Sequence, residues 1–405
     1  MRSLTRTPRL LVLTPDFPPT PGGIQLLTHR IATGVAGLDT RVLALEEPGA
    51  ASFDARGDLA VRRVRADGRL GSGRMVALNA AAVSEARRFR PDVTLSMHVV
   101  ASPAAALIRR ALGARTVQYF HANEIGGKPR LTAFAARRAN VAVAVSSYTA
   151  GLIAATGVVP AQLRVIPPGV DLPSDPTVER GSHAQPHTAR PTDGAEVPQD
   201  RAELDRAVRS TLLTIARLKD SYKGHDVLLR ALALVRERVP DVKLVVIGDG
   251  PLRGDLERLA GAMGVGEAVS FLGAVSDEQR DRWLRRADVF AMPSRLPLDG
   301  LAGEGFGIVY LEAAAHGMPV VAGDVGGALD AVADGVTGLL VDPTDPRAVA
   351  DALIRLLLDR ELARRLGRAG AERAKGFAWS LIAARVQEVL LEQVSRRDPG
   401  RGRGT

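Results

Sequence analysis

The 405-residue sequence contains no cysteine. That excludes a disulfide framework, a thiolate metal site and a cysteine nucleophile, and it suits a reducing cytoplasm. Aromatic residues amount to 4%, too few to furnish stacking platforms for bases. No nucleic-acid motif is present either, so nucleic acid is not an expected partner. No run of about 18 uncharged apolar residues occurs, which argues against a spanning helix. The basic start is followed by an apolar run that stops at Leu13 before Pro15-Asp16, too short for the core of a secretory signal. The expected location is the cytoplasm. Seven histidines and the carboxylates show no metal-ligand spacing, so no metal and no cofactor is expected.

What is present is a chain 46% hydrophobic and long enough for two domains of roughly 150 to 200 residues. Short apolar runs read as strands at 10–13, 41–45, 93–96, 116–120, 141–145 and 164–166. Helical periods at 24–34, 74–88, 104–111 and 146–155 alternate with them. A second series starts at 211–215 and continues through 243–247, 269–272, 289–292, 320–322 and 339–341, with a hairpin-like segment over 334–338 before the last. Alternation of this kind gives an α/β fold of two Rossmann-like, doubly wound parallel sheets. The expected division is a first domain over 1–172, a Pro-, Thr-, Asp- and Gly-rich linker or surface excursion over 173–206, and a second domain over 207–378. A C-terminal helix over 379–395 is long enough to cross back to the first domain, and 396–405 reads as a disordered tail.

Charge is unevenly placed. Residues 1–172 carry 22 lysines and arginines against 11 acids, a net +11, and the remainder carries 32 against 34, a net −2. A basic first half suits an anionic partner, either a phospholipid surface or a phosphorylated substrate, although a solvated arginine-rich surface has the same composition.

The chemistry concentrates in Gly303-Glu304-Gly305-Phe306-Gly307-Ile308-Val309-Tyr310-Leu311-Glu312. Two carboxylates eight positions apart bracket a glycine loop that opens into an apolar helix, closed by Gly317 and Pro319. The free amides at Phe306, Gly307 and Ile308 and the positive end of the helix dipole form an anion site fit for a diphosphate. Carboxylates suit sugar and ribose hydroxyls, which donate to them. If the segment were helical throughout, eight residues would span about 12 Å. Each glutamate taken alone also fits a helix cap or a solvated face. Elsewhere, Gly22 and Gly23 follow a strand and open a helix, without the dinucleotide fingerprint G-x-G-x-x-G. His121 ends the strand 116–120, and Arg217 and Lys223 follow the strand 211–215. Ligands of open sheets gather at such strand ends.

These motifs, in this order, resemble family four of the retaining glycosyltransferases over nearly the whole chain. The E-x7-E pair Glu304 and Glu312 carries the resemblance most strongly. Asp16-Phe17-Pro18-Pro19 with Gly22-Gly23, Arg164 to Asp171, and Arg217 with Lys223-Gly224 add to it. The runs Phe290 to Arg295 and Gly307 to Ala313 look most like bacterial mannosyltransferases that act on phosphatidylinositol mannosides. The resemblance implies the GT-B architecture, two Rossmann-like domains facing across a cleft. It also implies a nucleotide-diphosphate sugar donor, with GDP-mannose as the best candidate, and a lipid-linked or glycan acceptor. It assigns Glu304 and His121 to the reacting sugar and Glu312 to the ribose. Arg217, Lys223, Gly22 and Gly23 fall to the diphosphate, Val275, Asp277 and Arg280 to the base, and Asp16 to the acceptor. His121 is followed by Ala122-Asn123 where many relatives place an acid directly, and the linker sequence is unlike the family's pattern. The expected chemistry is metal-independent hexosyl transfer with retention, by an enzyme peripheral to the inner face of the plasma membrane. The rivals are a nucleotide-sugar epimerase of the same architecture, which needs no acceptor, and a non-catalytic nucleotide-sugar binder. A dehydrogenase is disfavoured by the missing fingerprint.

Overall fold

The computed structural model describes residues 6–65, 71–173, 210–297 and 303–397. The chain separates into two compact units. One comprises Met1–Val170, Leu296–Ile308 and Phe377–Thr405; the other comprises Asp171–Arg295 and Val309–Gly376.

The first unit is built on seven parallel strands, β1 (Arg9–Leu13), β2 (Asp39–Leu45), β3 (Ala60–Val64), β4 (Val93–Ser96), β5 (Arg115–Phe120), β6 (Val141–Ala144) and β7 (Leu163–Val165). Their spatial order is β3-β2-β1-β4-β5-β6-β7. The central strands are covered on both faces, which is why Leu10 to Leu13 and Val141 to Ala144 are continuous apolar runs without alternation. Connecting helices start and stop on local signals. Helix Ser102–Leu112 has Pro103 in its first turn and ends at Gly113, which adopts φ 68° and returns its N–H to the Arg109 carbonyl at 3.0 Å. Helix Ser147–Ala155 is capped by Ser146, whose hydroxyl accepts from the Thr149 N–H at 3.0 Å.

Helix Trp379–Ser395 belongs to this unit. Trp379, Ile382, Val386, Val389 and Leu390 join one core with Leu10, Val12, Leu27 and Ile31, each side chain contributing about 1.5–3 kcal/mol of burial. Arg397, expected in a disordered tail, is held instead. It pairs with Asp92 and donates to the Leu112 carbonyl at 3.1 Å. Residues 398–405 lie outside the described residues, as do residues 174–206 of the expected linker.

The second unit holds six parallel strands, β8 (Ser210–Ile215), β9 (Val242–Ile247), β10 (Val269–Gly273), β11 (Val289–Met292), β12 (Val320–Gly323) and β13 (Gly338–Val341), in the order β10-β9-β8-β11-β12-β13. Its core joins helices His225–Arg238 and Pro346–Leu358 to the sheet through Leu228, Leu232, Leu353 and Leu356.

Three differences from the sequence reading have physical causes. β3 has no continuous apolar run, because an edge strand need not be apolar on both faces. Its Arg62 pairs with Glu85, and Arg63 binds Asp54 at 2.7 Å. The segment 334–338, read as hairpin-like, leads into β13, which pairs parallel to β12. Residues 303–308, expected within the 207–378 domain, group with the first unit. They do so because the Phe306 ring lies 5.9 Å from the Phe377 ring, and a Cβ built on Gly305 would lie 3.5 Å from that of Ala122.

Candidate functional site

In the first sheet the strand order reverses between β1 and β4. Ligands of open α/β sheets bind beyond the carboxyl ends of strands at such a reversal. After β1, the Thr14 hydroxyl accepts from the Asp16 N–H at 3.0 Å and donates to the Asp16 carbonyl at 2.8 Å. This turn sets Asp16 at the strand end, where Gln25 Nε2 donates to its carboxylate at 3.3 Å. Burial raises the Asp16 pKa, and the imidazoles of His98 and His121 pull against that rise. Helix Gly23–Gly34 follows, with no side chain capping its N-terminus. The Gln25 side chain folds against Gly22, where a Cβ would meet its Oε1 at 2.2 Å, and a helix N-terminus without a side-chain cap suits an anion.

β5 ends at His121. Its Nε2 lies 3.0 Å from the Met97 carbonyl. A carbonyl can accept but not donate, so Nε2 carries the proton. The ring stacks on Tyr119, with centroids 6.3 Å apart, and burial lowers its pKa despite nearby Glu124. His121 is thus a neutral imidazole in one fixed tautomer. Glu124 lies one turn into helix Ala122–Gly127 and reaches back to accept from the His121 N–H at 3.0 Å. Its other oxygen accepts from the Val99 N–H at 2.9 Å and meets His98 Nδ1 at 3.0 Å. Burial alone would raise the Glu124 pKa, but His98, His121 and the Val99 amide bring it below the usual value. His98 responds oppositely: burial would lower its pKa, and Glu124 and Asp16 raise it.

Residues 303–308 complete this unit's set. The Ile308 side chain lies 3.5 Å from the Cβ that Gly23 would carry. Phe306 is buried and Glu304 half-buried. Gly307 adopts φ 85°, a left-handed conformation that costs a residue with a Cβ about 1–2 kcal/mol. Helix begins at Ile308, so the stretch is not helical throughout and the 12 Å span does not describe it.

In the second sheet the order reverses between β8 and β11, and Arg217 leaves β8 at that point. Its guanidinium is 3.3 Å from Asp220. Lys223 ends a short 3-10 turn and lies over the Tyr222 ring at 5.2 Å. The loop after β11 fixes this segment from beside it. Arg295 donates through its main chain to the Tyr222 carbonyl and through its side chain to Asp226, both at 2.8 Å. Gly224, at φ 76°, passes so close to Pro293 that a Cβ would sit 2.0 Å from the Pro293 carbonyl oxygen.

Helix Ile308–Ala315 is anchored by Tyr310, whose hydroxyl donates to the Met292 carbonyl at 2.7 Å. Glu312 lies on that helix with its side chain 13% exposed and pairs with Arg280 of helix Asp277–Arg286. Burial raises the Glu312 pKa, and Arg280 works to lower it. Asp277 is exposed at the start of its helix, and Val275 is half-buried just before it. The first unit therefore carries Asp16, Gly22, Gly23, His121, Glu304, Phe306, Gly307 and Ile308. The second carries Arg217, Lys223, Val275, Asp277, Arg280 and Glu312. His98 and Glu124 were not singled out in the sequence, since their partnership rests on β4 and β5 being neighbours. Among the described residues no three His, Asp or Glu side chains gather in a metal-holding group, and no helix is long and apolar enough to cross a membrane.

Two α/β domains, each on a parallel sheet whose strand order reverses, have the GT-B architecture. Solved structures agree on the fold. Sucrose-phosphate synthase from Thermosynechococcus elongatus matches with TM-score 0.77 at 21% identity, covering 96% of this chain and 100% of that one. Anabaena HepE, solved in complex with UDP-glucose, matches with TM-score 0.75 at 22% identity over 95% and 99%. Residues 21–173 match the family described as Glycosyltransferase Family 4, and residues 198–373 match Glycosyl transferases group 1. A curated relative from Mycobacterium tuberculosis is 34% identical over 405 residues, covering 94% of this chain and 98% of its own length. It is named a GDP-mannose-dependent alpha-(1-6)-phosphatidylinositol monomannoside mannosyltransferase. The Mycolicibacterium smegmatis protein of the same name is 35% identical over 398 residues with the same coverage. The chain belongs to glycosyltransferase family 4 and is a glycosyltransferase.

Proposed function

We propose that the protein transfers a mannosyl group from GDP-mannose, with retention at the anomeric carbon, to a phosphatidylinositol-type lipid acceptor. The observation that carries this reading is the near full-length relationship to two GDP-mannose-dependent mannosyltransferases, together with the intact set His121, Arg217, Lys223, Glu304 and Glu312. In this scheme Glu304 and His121 orient the donor sugar, Glu312 takes the ribose, and Val275, Asp277 and Arg280 border the base. Charge on the leaving diphosphate is met by Arg217, Lys223, the amides at Gly22 and Gly23, and those of Phe306, Gly307 and Ile308. These fixed donors are the counter-charge that a metal supplies in other transferases, and the scheme uses no metal or cofactor. A diphosphate oxygen takes the acceptor proton, and Asp16 contacts the acceptor.

Peripheral association with an anionic bilayer on the cytoplasmic side belongs to the same proposal. Helices Ser102–Leu112 and Pro129–Arg138 border a cavity of about 770 Å³ lined by Arg109, Arg110, Arg137 and Arg138 with no acid, and Leu107 beside them is 56% exposed. Binding to anionic vesicles is expected to weaken as salt rises from about 0.1 to 1 M, where the Debye length falls from about 10 to 3 Å. Binding that ignores salt counts against this part.

The deciding experiment is a thermal-shift screen of GDP-mannose, UDP-glucose, UDP-N-acetylglucosamine and UDP-galactose, followed by turnover with and without acceptor. Selective stabilisation by GDP-mannose is expected from mass action, with transfer that needs the acceptor and an α-configured product. Stabilisation by UDP-sugars alone, or an inverted product, overturns the reading.

A further inference from the structure

We propose that His98 is an acceptor-site residue, its imidazole Nε2 and the Asp16 carboxylate together binding neighbouring hydroxyl groups of a polyol acceptor. This rests on the acceptor role proposed above for Asp16.

Position comes first. His98 follows β4 and Asp16 follows β1. These two strands flank the reversal of the first sheet, so both side chains leave the sheet where its ligand crevice lies. The two groups also act on each other electrically. His98 lowers the Asp16 pKa, and Asp16 raises that of His98.

Orientation comes second. His98 Nδ1 lies 3.0 Å from Glu124 Oε2 and 3.2 Å from the Val100 N–H. One nitrogen cannot donate to the first and accept from the second. The Val100 amide donates to Nδ1, so the neutral ring carries its proton on Nε2, and the imidazolium that Glu124 favours carries one there as well. Among the described residues Nε2 has no hydrogen-bond partner. The side chain is 16% exposed, against 2% for Glu124. His121 differs: its Nε2 proton is already given to the Met97 carbonyl. Of the two imidazoles around Glu124, His98 is the one whose N–H is not already given to a carbonyl.

The chemistry comes third. With a charged carboxylate behind it, His98 favours the imidazolium, whose Nε2 donates. Asp16 accepts. A donor beside an acceptor matches two adjacent hydroxyls of a sugar or cyclitol, one of which accepts while the other donates. Neither group needs to exchange a proton with the substrate for this role.

The test compares wild type with His98→Gln, His98→Asn and Glu124→Gln, using GDP-mannose and a phosphatidylinositol mannoside. Acceptor KM in His98→Gln should rise by about tenfold or more, the size of one hydrogen bond to a charged group. Donor Kd, measured by calorimetry without acceptor, should stay within about twofold. A role confined to capping the turn at Val99–Ala101 would lower the melting temperature and leave acceptor KM alone. That outcome in a folded variant overturns the proposal, as does an equal loss of donor affinity. If wild type shows no transfer with this substrate pair, the reading of donor and acceptor fails separately. The inference then stands or falls on the His98 ring signal in NMR, identified by its absence from His98→Gln. A shift on titration with myo-inositol or methyl α-mannoside supports it, and no shift with either overturns it.

Discussion

The imidazole of His98 and the carboxylate of Glu124 meet at 3.0 Å beneath the end of β4, while the same carboxylate holds the main-chain N–H of His121 at 3.0 Å. One buried acid therefore ties two histidines from neighbouring strands into a single unit. Taking away its charge leaves His98 without its anion and His121 without its helix cap. Glu124→Gln preserves the shape, removes the charge and keeps an acceptor for only one of the two amides, those of Val99 and His121, that the carboxylate holds, which makes it a sharper probe than alanine.

The pair predicts a pH signature in stability. Glu124 has its pKa lowered from 4.5, so its contribution is present above that value and is lost as pH falls through its folded pKa. His98 has its pKa raised from 6.5, so its contribution is full below 6.5 and is lost as pH rises through its folded pKa. Asp16, His121 and Lys128 also act on His98 or are acted on by it, with Asp16 in the same sense as Glu124 and Lys128 opposing it. The melting-temperature gap between wild type and His98→Gln should therefore narrow as pH is raised above 6.5. Thermal denaturation from pH 6 to 9 checks this, and a gap constant over that range removes the charge coupling.

Glu312 and Arg280 form the corresponding pair in the second unit. Glu312→Ala should weaken donor binding by about ten- to hundredfold through loss of its hydroxyl contact. Arg280→Ala should weaken it less and raise the Glu312 pKa further, because the largest influence opposing burial is then gone and only His316 still lowers it. Donor titration at pH 5.5 and 8 separates the two variants. An unchanged donor Kd in Glu312→Ala removes the ribose assignment.

Gly224 tests the loop that places Lys223. A Cβ there would lie 2.0 Å from the Pro293 carbonyl oxygen in a left-handed backbone. Gly224→Ala should lower stability by at least about 1–3 kcal/mol and impair donor binding together with it. Gly57→Ala, where an added Cβ meets nothing within 4 Å, is the matched control. Equal melting temperatures for the two variants would contradict the geometry.

His121→Ala should reduce turnover by about 10²-fold, through lost positioning of the donor sugar, with a smaller change in donor affinity. Single-turnover rates alongside direct donor binding give both numbers. Full turnover in this variant would withdraw His121 from the chemistry.

Much of this molecule could be read before its structure. Continuous apolar runs such as Leu10 to Leu13 announce strands covered on both faces, because a parallel sheet between helix layers leaves no wet face. Ser146 as a helix cap and the glycine before Ile308 were legible for the same kind of reason, since each acts within a few residues of itself. β3 and the helices Ala122–Gly127 and Pro129–Arg138 were missed. β3 is polar, and its arginines are satisfied by Glu85 and Asp54 from distant segments.

The opening motif shows the division most clearly. Sequence alone determined that Glu304 and Glu312 bracket a glycine turn into an apolar helix, because glycine, helix periodicity and charge act locally. Tertiary structure decided that the helix starts at Ile308, that Phe306 packs on Phe377, and that Glu312 answers to Arg280, 32 residues earlier in the chain. It also decided that His98 and Asp16 stand at one strand reversal. Sheet order brings β1 and β4 side by side across some eighty residues of intervening chain, and no local pattern encodes which strands become neighbours.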